Sequence, residues 1–155
     1  MRRWRCISLA LILLGPGSAV ARDIAVIANK ASHIESMSVA ELTRVCKGQS
    51  QHVLEGRQVT LITRDPATPE MTIVLEKIYA MPKEEVADLI ASANHRRGEH
   101  PAIMVVDSDE ALVKKVETTP GAIGLVDVYA ITGGVKVVRV GDKLPLEPGY
   151  LLHGN

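Results

Sequence analysis

Two short runs of this chain, AIMVV at Ala102–Val106 and AIGLVD at Ala122–Asp127, are apolar at nearly every position. Five or six such residues are too few for a buried helix, and without polar alternation they read as strands covered on both faces. A sheet of that kind needs helices on each side. DIAVIA at Asp23–Ala28 and QVTLIT at Gln58–Thr63 add two strands, and VKVVRV at Val135–Val140 alternates as an outer one.

Helical patterns fill the spaces between these runs. Ser38 followed by Glu41 forms a capping box, opening a helix through Cys46 that Gly48 can end. Thr68 reads as an N-cap with Pro69 at the first helical position, and Val74, Leu75, Ile78 and Tyr79 form the apolar face behind it. Pro82 starts a further helix carrying Val86, Leu89, Ile90 and Ala93, with Glu84 and Glu85 at its positive end. Asp107 and Ser108 compete to cap the next, which carries Leu112, Val113 and Val116. The pattern predicts an α/β three-layer sandwich with a mostly parallel mixed sheet.

The first 21 residues obey a different logic. Arg2, Arg3 and Arg5 precede an apolar run from Ile7 to Leu14, a Gly-Pro-Gly break and Ala19-Val20-Ala21. This order predicts a secretory signal peptide cut before Arg22, leaving a single domain at 22–155 and a periplasmic location. The run is under half of the about 20 residues a membrane span needs. Those three Arg belong to the 18 basic residues, so the remainder carries 15 basic against 18 acidic side chains, a formal charge of −3. Nucleic acid and anionic membranes are poor partners for such a surface. Beyond Trp4 there is no Trp and no Phe, so stacking on sugars or bases lacks its parts. Cys46 is the lone cysteine after the leader; Leu42, Val45 and Cys46 share one helix face, which predicts a buried thiol.

In order, DIAVIANK, MSVAELTRVCKG, GRQVTLITRD and VETTPGAIGLVD resemble one lobe of the phosphate-type periplasmic substrate-binding proteins, the binding components of ABC transporters with the type II periplasmic-binding-protein fold. The resemblance runs to about Val140, and its strongest piece is PGAIGLV at Pro120–Val126, where Gly121 permits the turn and Gly124 a close backbone approach. Full-length members close two lobes around their ligand; this chain has room for one. The resemblance implies a non-catalytic binding module without a cofactor, whose ligand is a small oxyanion such as phosphate, with a second protomer or an envelope protein completing the cleft. The alternative is a lobe that has lost its ligand and serves an envelope complex as an interaction domain.

In the family, the loop matching Arg64–Glu70 carries an Arg and a Ser-Gly-Thr-like triplet that bind phosphate oxygens. Arg64 matches the Arg and Thr68 the Ser, while Pro69 and Glu70 replace the Gly and Thr, and the amides near Met71 complete the candidate site. Pro removes a backbone donor, and Glu70 puts a negative charge where the anion would sit. At an effective dielectric near 20, two unit charges about 4 Å apart repel by roughly 4 kcal/mol. Without a ligand the same residues read as a helix start: Thr68 caps, Glu70 complements the dipole, and Arg64 pairs with Asp65 or Glu70. His95, Glu99 and His100 are broken by Gly98 and Pro101, which favours an exposed loop over a metal site. Arg96 and Arg97 beside them read as a solvated connection. No nucleophile–base spacing or paired-carboxylate site stands out, so no catalytic residue is predicted.

Overall fold

The computed structural model describes residues 22–49 and 58–154. The leader at 1–21 and the connection through Glu55-Gly56 lie outside the described residues. Six strands form one sheet in the order β2-β6-β1-β5-β3-β4: β1 (Ile24–Asn29), β2 (Ser36–Met37), β3 (Thr60–Arg64), β4 (Ile103–Val106), β5 (Ala122–Asp127) and β6 (Val135–Val140). Strand β3 pairs in parallel with β4 and β5, and β2 with β6, whereas β1 runs antiparallel to both β5 and β6. The sheet is mixed with most pairings parallel.

Side-chain alternation divides the interior into two cores. Ile24, Val26 and Ala28 of β1 join Leu61, Ile123 and Leu125 on one face, under α1 (Val39–Cys46), α3 (Lys83–Asn94) and the helical segment Pro69–Tyr79. Ala25 and Ile27 point the other way with Ile62, Ala122 and Val126, where α4 (Asp109–Thr118) covers them with Leu112, Val113 and Val116. The three-layer sandwich expected from the sequence is present. Gly124 sits in the second core, where an added Cβ would come within 2.8 Å of both Leu112 Cδ2 and Val116 Cγ2. Side chains of α4, not a neighbouring backbone, therefore demand this glycine.

Local signals were obeyed where they were complete. The Ser38–Glu41 box forms in both directions, at 3.2 Å and 2.7 Å, and Ser108 rather than Asp107 caps α4 through the Ala111 amide. Cys46 is fully buried, and desolvation pushes its thiol up to about 12.

Three expectations need correction. The AIMVV run is not covered on both sides: β4 is the sheet's edge, and Val105 is 40% exposed, because strand order is not written in the strand's own composition. The segment after Pro69 is not one regular helix; it runs as a 3-10 turn (Pro69–Met71), α2 (Thr72–Val74) and a π turn (Leu75–Tyr79) closed by Ala80 N–H on the Leu75 carbonyl at 2.8 Å. Thr68 precedes it without a side-chain cap, since its hydroxyl donates backwards to the Asp65 carbonyl at 2.8 Å.

Candidate functional site

Strands β3, β4 and β5 are mutually parallel, so their C-terminal ends lie along one edge of the sheet. In open α/β sheets this is the edge on which ligands collect. The β3 end delivers Arg64 and the turn to Pro69, the β4 end delivers Ser108 and the start of α4, and the β5 end delivers Asp127.

Strand alternation decides where Arg64 goes. It shares a face with Ile62, two residues back, and that face belongs to α4. Arg64 Nη1 there donates to Asp109 Oδ1 at 2.6 Å, with the two side chains 15% and 23% exposed. Such a charge-assisted bond is short and about twice as strong as a neutral one. The Arg64 Nε is also buried and has no partner among the described residues. The Arg64 pairing proposed for a ligand-free helix start is thus corrected: the partner is neither Asp65 nor Glu70 but a carboxylate 45 positions later.

The turn that follows addresses the opposite face. Asp65 Oδ1 accepts from the Ala67 amide at 2.7 Å, and the Asp65 carbonyl takes the Thr68 amide and hydroxyl. Met71 donates its amide to the Thr68 carbonyl at 3.1 Å, and its sulfur accepts from the Thr63 hydroxyl at 3.2 Å. The donors of Thr68 and Met71 expected to serve an anion are thus engaged within the turn. Glu70 lines a cleft of about 350 Å³ with Arg22, Ile24, Ile73, Glu76 and Asp127, and its Oε2 is buried without a partner among the described residues. Arg22 bonds Asp127 across this cleft at 3.1 Å, and Arg64 is not part of its lining.

The structure thus groups Thr68, Glu70 and Met71 in one turn and sets Arg64 beside α4. Asp109 escaped the sequence reading because its role depends on β3 and β4 being neighbours. An acid at the first position of a helix whose preceding strand pairs with the Arg-bearing strand was the available signal.

No protein-family model and no curated protein matches this sequence. Solved structures do match it in fold. An ABC-type phosphate transport receptor from Vibrio cholerae superimposes with a TM-score of 0.68 at 15% identity over 86% of this chain and 54% of its own. PstS from Borrelia burgdorferi gives 0.67 at 17% identity over 87% and 55%. A phosphate-binding protein from Stenotrophomonas maltophilia gives 0.57 at 16% identity over 81% and 40%. The chain spans about half the length of the structures it resembles, and its fold is that of a single lobe of such proteins.

Proposed function

We propose that this chain is an exported, non-catalytic lobe of the substrate-binding-protein type, with a leader at 1–21 and one domain at 22–155, and that its ligand class is a small oxyanion such as phosphate. Arg64 is the anchoring cation on the α4 side, while the Thr68–Met71 turn, with Glu70, lies on the opposite face beside a separate cleft. One observation carries this reading: Arg64 already holds a carboxylate oxygen at 2.6 Å while its buried Nε has no partner among the described residues, so the guanidinium is set up for an oxyanion and not fully used there. Its place at the C-terminal edge of parallel strands, and a fold shared with phosphate receptors and phosphate-binding proteins, support the same class. Among the described residues no helix is long and apolar enough to cross a membrane.

Asp109 must be displaced or shared before an anion engages Arg64. A tethered carboxylate competes at an effective concentration of millimolar or more, so the lobe by itself should bind phosphate with a dissociation constant on the order of 1 mM. A second protomer or an envelope protein would supply the opposing wall and raise that affinity. Calorimetry of residues 22–155 with phosphate, compared with Arg64→Ala, tests the reading: weak heat lost in the variant supports it, and identical heats from both proteins reject it.

A second reading has its own observation. The Thr68 hydroxyl and Met71 amide are both spent inside the turn, and the adjoining cleft is lined by Glu70, Glu76 and Asp127, which suits an interaction domain without a small ligand. It expects no phosphate response even at millimolar concentrations.

A further inference from the structure

We infer that Asp109 is a built-in substitute for the ligand: its carboxylate occupies the oxyanion position on Arg64 and holds the site closed until it is displaced. This rests on the oxyanion reading above and adds the group that regulates it. The geometry is that of a bound anion. A carboxylate oxygen and a phosphate oxygen make the same short contact to a guanidinium N–H, and Asp109 makes it at 2.6 Å with both side chains mostly buried, so an anion that takes this N–H must displace the carboxylate. The pair is also incomplete, because a guanidinium can serve two oxygens in parallel while Asp109 engages Nη1 alone and the buried Nε has no partner among the described residues. A tetrahedral oxyanion could instead take the Nη1–Nη2 edge or the Nε–Nη2 edge with two of its oxygens.

The placement gives Asp109 a route out. It is the first residue of α4, directly after the Ser108 cap, so its side chain can swing from Arg64 without unwinding the helix, which is held by the Ser108–Ala111 and Ser108–Leu112 bonds. Glu110, next in the same turn, carries the same charge and has no bond to Arg64 among the described residues.

That neighbour makes the test specific. Phosphate is titrated into the parent chain, Asp109→Asn, Glu110→Gln and the double variant Asp109→Asn/Arg64→Ala, with each fold checked by circular dichroism and Asp109→Ser prepared in case the amide perturbs the helix start. The expected result is at least about a tenfold gain in phosphate affinity for Asp109→Asn, relief of the tethered competitor, with no gain for Glu110→Gln and loss of the gain in the double variant. Equal gains in Asp109→Asn and Glu110→Gln would reduce the effect to net charge and overturn the inference. So would folded Asp109→Asn and Asp109→Ser proteins that bind no tighter than the parent. Micromolar binding by the parent that Asp109→Asn does not improve would overturn the inference while leaving the oxyanion reading standing.

Discussion

Asn94 and Ile103 exchange two hydrogen bonds, from the Asn94 side-chain amide to the Ile103 carbonyl at 2.7 Å and from the Ile103 amide to Asn94 Oδ1 at 3.0 Å. Ile103 belongs to the edge strand β4, and the Ala102 carbonyl beside it faces β3, taking the Leu61 amide; the Ile103 peptide groups therefore point outward. The last residue of α3 thus acts as a one-residue substitute for a missing strand. Exposed edges invite pairing between molecules, and this one is partly apolar through Val105. Asn94→Ala should cost about 2 kcal/mol, two bonds at about 1 kcal/mol each, and make the protein associate with concentration. Thermal unfolding and light scattering would read both effects; an unchanged midpoint with no association would show the plug to be idle.

Gly124 sets how closely α4 approaches the sheet. A methyl group there would meet Leu112 and Val116 at 2.8 Å and Ile27 Cγ1 at 3.0 Å, all three buried. Gly124→Ala should destabilise the fold by roughly 1–3 kcal/mol through overpacking, read as a lower urea midpoint. A neutral result would mean that α4 can retreat from the sheet without penalty.

Buried weak acids predict alkaline sensitivity. Cys46 is pushed by desolvation from 9.0 to about 12, and Tyr79 and Tyr150 are raised by burial, Tyr79 also by nearby Cys46 and Tyr150 by nearby Asp23. Between pH 9 and 12 the unfolded thiol releases its proton while the native thiol keeps it, so the native state binds more protons and stability falls as pH rises. Each pH unit in that window should remove up to about 1.4 kcal/mol through this group alone. The contribution of this thiol is fully present below about pH 9. At pH 8 the thiol should ignore Ellman's reagent until the protein is denatured; prompt native labelling would place Cys46 on an exposed face.

What the sequence disclosed and what it withheld divide by range. The capping box at Ser38, the Ser108 helix, the buried face of Leu112, Val113 and Val116, and the AIGLVD strand each depend on residues within a turn or two, and they were legible. The edge position of β4 depends on strand order. The π turn at Leu75–Tyr79 depends on how the segment packs over the first core, and the Arg64 partner depends on parallel pairing of β3 with β4. In the candidate site, Arg64, Thr68, Glu70 and Met71 are close in sequence, yet strand alternation sends Arg64 to the α4 side and leaves the others in the turn on the opposite face.

Arg64 is the group proposed to receive an anion, and its Nε, without a partner among the described residues, offers a direct reporter. The measurement is a phosphate titration followed by nitrogen-15 NMR of the arginine Nε–H signals, with chloride at matched ionic strength as the control. Binding at Arg64 should shift its signal with phosphate toward saturation, at lower concentrations in Asp109→Asn than in the parent, and leave it still with chloride. An Arg64 signal that does not move in either protein at tens of millimolar phosphate, a generous excess over the order of 1 mM expected, would contradict it.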